Sequence, residues 1–269
     1  MKTFNINSLP AKPLAASGRV STAVLLAAGT GSRLRPLTLN APKCLTVVAG
    51  KPILQRLLDN LRAQGIKKLI VATGYLDKSI EKYLQQHATD MKIEYVFNAD
   101  YQTTNNIYSL WLTKDAVKEP FLLVECDLVF DTPMLTEMMY PDRIAISNML
   151  PWMNGTTVTL TPSNEVSSFQ IGSETANIDA FKTVNICSFS LKSWEKVLLK
   201  LEEYISAGRI NSYYESVFAG MAIDKSLVFD AVFFQQDRWY EVDTLADLEE
   251  ADKLFEDDTN TVESKELIA

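Results

Sequence analysis

One stretch of the chain gathers the residue types that phosphate chemistry needs: Leu26-Ala-Ala-Gly-Thr-Gly-Ser-Arg-Leu-Arg-Pro36, with Pro42-Lys43 close behind. An apolar run ends there and small residues follow. Ala27, Ala28, Gly29 and Gly31 let the backbone come close to a ligand. From Leu26 through Thr30 to Ser32, successive N–H groups can then face a polyphosphate. Arg33 adds a bidentate guanidinium for phosphate oxygens, and Lys43 a point charge for a phosphorus under attack. Two common phosphate motifs fail. The dinucleotide fingerprint lacks its third glycine, because Leu34 stands in its place, and no Gly-Lys-Ser/Thr completes a P-loop. On glycine content alone, a tight turn flanked by surface cations is the equal alternative.

Composition narrows the setting in which such a loop would work. Of 269 residues, 26 are Lys or Arg and 34 Asp or Glu, so the formal charge is −8. That acidity argues against a nucleic-acid binder or an anionic-membrane binder, either of which needs a basic face. No apolar run reaches the ~20 residues of a membrane span, and residues 1–20 lack the apolar core of a signal peptide. Cys44, Cys126 and Cys187 are odd in number and widely spaced, which fits reduced thiols in a cytoplasmic protein. His87 is the sole histidine. It excludes a zinc site built on several histidines, and it lies in a polar stretch that reads as surface.

The elements that must position the loop alternate. Thr22–Ala27, Lys68–Thr73, Lys92–Phe97 and Phe121–Glu125 are short buried strands. Between them, Ile53, Leu54, Leu57, Leu58 and Leu61 recur at helical spacing after Pro52 and before Gly65. Asp77 is placed to cap a second helix, and Asn106–Asp115 reads as a third. Such alternation predicts an α/β fold: a doubly wound, mostly parallel, Rossmann-like sheet with helices on both faces. Beyond residue 143 the pattern turns β-like over 155–161, 165–171 and 183–191, read as completing the sheet and adding a small antiparallel flap. Helices follow at 194–205 and 213–221, strands at 228–234 and 239–242, and a helix at 244–255. The division expected is an arm at 1–20, one domain at 21–255 and an acidic tail or linker at 256–269.

The loop pattern continues into Pro42-Lys-Cys-Leu45, and over Leu26–Leu45 it resembles the signature of nucleotidyltransferases that make sugar and polyol nucleotides. That resemblance implies that Leu26 to Arg33 wrap a triphosphate and that Arg33 and Lys43 are catalytic. It implies catalytic Mg²⁺ held by Asp127, in Val124-Glu-Cys-Asp127, and by Asp243, in Trp239-Tyr-Glu-Val-Asp243. Two carboxylates plus substrate phosphates suit that ion. The plainer roles are helix caps, Asp127 before residues 131–133 and Asp243 before the helix from Thr244. Glu125 departs from an aspartate common at its place and receives no metal role. The loop Thr103-Thr-Asn-Asn-Ile-Tyr-Ser-Leu110 resembles the cytidylyltransferase branch, which implies base reading by Asn105 and Asn106, with a helix cap as the alternative. Gly74-Tyr75 matches a pair at the mouth of the cleft in that family, or is a simple turn.

The implied reaction is attack by an acceptor oxyanion on the α-phosphorus of CTP, releasing pyrophosphate. A phosphate monoester has a second pKa of about 6, so the nucleophile needs little help from a general base. The whole-chain wording is most similar to the 2-aminoethylphosphonate cytidylyltransferases of bacterial phosphonate synthesis, with phosphocholine cytidylyltransferases next and sugar-1-phosphate nucleotidylyltransferases behind. All imply a small anionic acceptor, zwitterionic in the first two cases. Trp152, Tyr213, Tyr214 and Trp239 are candidate aromatic walls. Glu215 and Asp131 are candidate ammonium acceptors, and Lys182 and Arg238 candidate anion holders. Core packing and solvated surface are their plain alternatives. In that family the domain can be fused to a partner enzyme such as an aminotransferase, and a homodimer is compatible with it.

Overall fold

The structure is a computed structural model that describes residues 18–150, 153–172 and 180–256. Trp152, most of the arm expected at 1–20 and all of the tail but Glu256 lie outside the described residues. Of the arm, Val20 is buried and its N–H donates to Met139 O at 2.8 Å, so the packed body begins there.

The elements run β1 (Thr22–Ala27), β2 (Val47–Val48), β3 (Lys51–Pro52), α1 (Ile53–Ala63), β4 (Lys68–Thr73), α2 (Asp77–His87), β5 (Lys92–Phe97), α3 (Asn106–Leu112), β6 (Phe121–Glu125), β7 (Leu128–Phe130) and α4 (Leu135–Met138). There follow β8 (Arg143–Asn148), β9 (Thr157–Leu160), β10 (Val166–Gln170), β11 (Phe181–Phe189), α5 (Leu191–Ser206), α6 (Glu215–Ile223), β12 (Asp230–Phe233), β13 (Trp239–Glu241) and α7 (Leu245–Leu254). The main sheet has the order β10-β9-β11-β6-β1-β4-β5, with β8 beside β11 and β12 beside β8. β1 lies parallel to both β4 and β6, and β4 to β5. β11 runs antiparallel to β6, β8 and β9. The chain leaves β1 for one side of the sheet and then crosses to the other, so a crevice opens beyond the carboxyl ends of β1 and β6. Open α/β sheets bind ligands at such a switch point.

All six residues of β1 are buried because both faces are covered. Ala23, Leu25 and Ala27 pack on one side with Leu54, Leu57 and Leu58 of α1 and Ile80 and Leu84 of α2. Val24 and Leu26 pack on the other with Ile107 of α3, Trp194 and Leu201 of α5 and Phe218 of α6. The period of two along the strand thus separates two helical layers. A third cluster joins Leu34, Val48, Val129 and Val242 to Ala251 and Phe255 at the end of α7 and braces the phosphate loop from below.

Some local expectations shift. Asp77 is the first helical residue and not a cap; Leu76 holds the cap position at φ 50° with no side-chain cap bond. Asp77 thus acts by its charge at the helix N-terminus. β9 and β10 form an antiparallel pair that extends the main sheet, and the separate small antiparallel sheets are β13 with β7 and β2 with β3. No helix among the described residues is long and apolar enough to cross a membrane. His87 ends α2, exposed and stacked on Tyr83 at 4.2 Å.

Candidate active site

The loop after β1 turns at Gly31, whose φ of 60° suits glycine. A Cβ there would meet Lys43 Cβ at 3.0 Å and Thr38 Cγ2 at 3.1 Å, so the glycine also lets the lysine segment close over the loop. At Gly29 a Cβ would meet nothing within 4 Å. Its open side belongs to a cavity of about 300 Å³, lined also by Leu26, Ala28, Thr30, Ser32, Arg33 and Lys43. Arg33 and Lys43 sit on separate 3₁₀ turns, Ser32–Leu34 and Lys43–Leu45.

Tertiary structure draws the two aspartates onto these cations. Asp127 follows β6 and Asp243 follows β13, and Val242 N–H donates to Asp127 O at 2.9 Å. Lys43 Nζ lies 2.7 Å from Asp127 Oδ2 and 2.5 Å from Asp243 Oδ1. Arg33 Nη2 lies 2.8 Å from the same Asp243 oxygen. Burial alone would push the Lys43 ammonium down, but Asp127 and Asp243 outweigh it and hold the pKa well above its ordinary value. The helix-cap alternative for Asp243 falls away. Thr244 caps α7 in a capping box with Asp247, which leaves the Asp243 carboxylate to the cations.

Asp127 Oδ1 is buried with no hydrogen-bond partner among the described residues. The pair therefore offers hard oxygen donors with one left over. No group of three or more His, Cys, Asp or Glu able to hold a metal is found among those residues. Two carboxylates completed by substrate phosphates is a set that fits Mg²⁺.

The cavity is also lined by Asn98 and Tyr101, which sequence reasoning left unassigned, by Ser109 from the loop expected to read the base, and by Tyr213, expected instead as an acceptor wall. Asn105 and Asn106 line it too, but much of their polar capacity is used inside the protein. Asn105 Oδ1 accepts from Asn106 N–H at 2.7 Å as the cap of α3. Asn106 Nδ2 donates to Glu125 Oε1 at 3.1 Å, and its Oδ1 accepts from Tyr214 N–H at 3.0 Å. Ala27 faces the core and not the cavity. Gly74 is not on the cavity wall either. A Cβ there would meet Tyr101 Cβ at 2.7 Å and Ala28 O at 2.8 Å, so its part is to seat those two residues.

A second cavity, of about 260 Å³, shares Arg33 and Asp243 with the first and is lined by Lys182, Trp239, Glu241 and Asn154. Lys182, buried on β11, pairs with Glu241 Oε2 at 3.1 Å. Asn185, at φ 57° where the β11–β8 register breaks, donates from Nδ2 to Glu241 Oε1 at 3.2 Å. Non-glycine residues at positive φ beside a β-bulge are common at functional sites. Glu241 went unassigned, although it stands two residues before Asp243 on an extended segment and so shares its face. Trp239 Nε1 is buried without a hydrogen-bond partner among the described residues.

Other acceptor-side candidates move. Arg238 and Asp131 pair with each other at 2.5 Å beside a third cavity, of about 320 Å³, lined by Lys51, Asp59 and Asn60. Neither lines the two central cavities: Arg238 ends a 3₁₀ turn, Gln236–Arg238, ahead of β13, and its guanidinium is taken by Asp131. Tyr214 is 1% exposed, its ring set on Phe218 at 5.1 Å, so it is a buried support and not a wall. Glu215 begins α6 and is 7% exposed, lining neither cavity. Burial pushes its carboxyl up to about 7. Burial, then Asp127, Glu215 and Glu241, raise Glu125 well above the carboxylate range.

Residues 22–150 match the nucleotidyl transferase family. The CMP-5'-(3-aminopropyl)phosphonate synthase of Streptomyces rubellomurinus is 30% identical over 243 residues, 87% of this chain and 38% of that protein. The choline-phosphate cytidylyltransferase of Streptococcus pneumoniae is 36% identical over 101 residues, 38% of this chain and 42% of that protein. The chain thus spans about two fifths of the length of these curated relatives. Among solved structures, the CTP:phosphocholine cytidylyltransferase of Streptococcus pneumoniae superimposes with a TM-score of 0.75 at 22% identity, covering 88% of this chain and 99% of that one. For the inositol-1-phosphate CTP transferase of T. maritima the TM-score is 0.71 at 21% identity, with 89% and 98% covered. These structural likenesses carry the fold, and the family match with the cytidylyltransferase relatives supports an enzyme of nucleotidyltransferase type.

Proposed function

Because residues 22–150 match the nucleotidyl transferase family, we propose that the chain is a CTP-dependent cytidylyltransferase whose acceptor is 2-aminoethylphosphonate, giving CMP-2-aminoethylphosphonate and pyrophosphate. One observation carries this reading. The ion-paired Arg33 and Asp243 form a wall common to the larger cavity, where Lys43 also pairs with Asp243, and a smaller cavity containing Lys182. A donor and an anionic acceptor placed in the two would meet at that wall.

The chemistry follows from charge. Lys182 holds the phosphonate and Arg33 faces it across the shared wall. A phosphonate oxygen attacks the α-phosphorus, a new P–O bond forms, and the bond from the α-phosphorus to the bridging oxygen breaks. Pyrophosphate leaves with that electron pair. No proton has to be removed from an anionic nucleophile, so the step requires no general base. Gly29 leaves room for the phosphates, and the loop N–H groups, Arg33 and Lys43 oppose charge as it moves toward the leaving group. Asp127 and Asp243 would hold Mg²⁺, which when bound draws the phosphate oxygens together and neutralises them. Positioning and electrostatics therefore supply the rate. The amide nitrogen of Asn105 remains as a donor toward the pyrimidine. A cytoplasmic setting belongs to the same proposal.

The direct test is pyrophosphate release with CTP and Mg²⁺, offering 2-aminoethylphosphonate beside phosphocholine, with UTP as the nucleotide control. Turnover with CTP and the phosphonate is expected. Preference for phosphocholine would move the acceptor to the quaternary amine, and turnover only with UTP and a sugar phosphate would sink the cytidylyl reading.

A further inference from the structure

One tyrosine outside the cavity wall grips the phosphate loop at both of its ends. Tyr75 follows β4 by two residues and lines none of the three cavities. Its backbone N–H donates to Ala28 O at 3.1 Å, where the loop leaves β1. Its hydroxyl reaches the far end of the loop and lies 2.9 Å from Thr38 O and 3.0 Å from Leu39 O. Thr38 carries the grip back, because its Oγ1 donates to Gly31 O at 2.8 Å. The 3₁₀ turn Leu37–Leu39 buries only Thr38, and Leu37 and Leu39 are half exposed, so apolar packing does little to fix that turn. The Tyr75 ring also meets that of Tyr101, a cavity residue, with centroids 6.3 Å apart. In a trans peptide the C=O and the next N–H point opposite ways. Bonds to Ala28 O and Gly31 O therefore fix the peptide planes that carry the Gly29 and Ser32 N–H groups. Those bonds come from Tyr75 and Thr38, which lie off the cavity wall, while Gly29 and Ser32 lie on it.

We propose that Tyr75 is a positioning residue for the polyphosphate of the nucleotide: it holds the loop carbonyls back so that the Gly29 and Ser32 N–H groups are aimed at the phosphates before the nucleotide arrives. The inference rests on the cytidylyltransferase reading above and adds to it the residue that preorganises the loop. Tyr75 touches neither substrate and acts through Ala28, Thr38 and Gly31. Donors fixed in advance need no reorganisation as charge moves onto the leaving pyrophosphate. A simple turn at Gly74-Tyr75 would account for the backbone bond to Ala28. It does not account for a hydroxyl set between two carbonyls of a segment more than 35 residues away in the chain.

The experiment deletes hydroxyls and reads nucleotide affinity apart from turnover. Calorimetry with CTP and with pyrophosphate, each with Mg²⁺ and no acceptor, is set beside steady-state kinetics with 2-aminoethylphosphonate. The proteins are wild type, Tyr75→Phe, Thr38→Val and Thr38→Ser. Tyr75→Phe keeps the ring and the backbone bond and loses only the hydroxyl. It and Thr38→Val should each weaken CTP and pyrophosphate binding about five- to tenfold, with KM for the acceptor unchanged. Thr38→Ser keeps the donor and should bind both ligands within about twofold of wild type. The double variant Tyr75→Phe/Thr38→Val should lose less than the product of the two single losses, because both act on one path to Gly31. A lowered Tm with wild-type affinity for both ligands would assign Tyr75 to stability only and overturn the inference. If Tyr75→Phe does not fold, Thr38→Val against Thr38→Ser decides, and equal affinities in those two overturn it as well. Wild type that binds CTP and pyrophosphate while Tyr75→Phe binds them equally defeats this inference alone. Wild type that binds neither defeats the reading beneath it too.

Discussion

The two ends of the cleft are built on opposite electrostatic plans. At the phosphate end, Arg33 and Lys43 meet Asp127 and Asp243 at distances of 2.5 to 2.8 Å, cation for carboxylate. At the other end, Lys182 pairs with Glu241 at 3.1 Å, and the buried Glu215 has an oxygen with no partner among the described residues. The first end is balanced as it stands and open, with the Arg33 side chain 63% exposed. It is suited to receive a polyanion together with a divalent cation, whose charges largely cancel. The second is buried, with Lys182 and Glu215 each less than a tenth exposed.

The comparison breaks most visibly if the phosphate end loses its central cation. Lys43→Ala should lower kcat by on the order of 10³-fold, as removal of a cation that opposes developing phosphate charge does. Circular dichroism should still report a folded chain, and wild-type turnover would remove Lys43 from the mechanism. A smaller effect separates the two glycines of the loop. Gly29→Ala should raise KM for CTP about tenfold with Tm nearly unchanged, because the added methyl projects into ligand space. Gly31→Ala should lower Tm as well, by roughly 1 kcal/mol of stability or more, because it strains a positive φ and crowds Lys43. Equal Tm values for the two would mean that the loop does not depend on the Gly31 conformation.

The smallest effect belongs to the buried carboxyl of Glu215 and needs no substrate. Glu215 has its carboxyl raised to about 7, above the ordinary carboxylate range in an unfolded chain. The folded state then binds more protons than the unfolded state between those two values. Its contribution to stability is full below about pH 4 and is lost as pH rises through about 7. Glu215→Gln, which cannot ionise, should flatten the fall in Tm between pH 5 and pH 8 by a few degrees. An unaltered slope would mean that Glu215 is not the group penalised by burial.

How far each end could be read from the sequence differs for a physical reason. The phosphate loop is local: its small residues, Arg33 and Lys43 lie within one short stretch, and backbone N–H groups do much of the binding. The acceptor end is assembled from β11, β13 and residues 153–154, and each contribution taken alone is an unremarkable Glu, Asn or Lys. Arg238 and Trp239 are neighbours in the chain, yet Arg238 ends a 3₁₀ turn and Trp239 begins a strand, and they line different cavities. Asp131 pairs with Arg238 beside that third cavity, a partnership fixed by tertiary contact and not by spacing. Asn106 was expected to read the base, but its amide is drawn inward to Glu125 and Tyr214, a partnership no spacing rule announces.

By itself the sequence determined the alternation of apolar strands and helices, hence the doubly wound sheet, and the loop of small residues that must follow its first strand. Hydrophobic periodicity and backbone sterics act over a few residues and are written in order along the chain. Only the tertiary structure decided which charges meet. Asp127 and Asp243, far apart in sequence, close on one lysine, and Lys182 is buried against Glu241. Coulombic interaction and desolvation depend on distance and burial in space, and neither is encoded in the spacing of residues along a line.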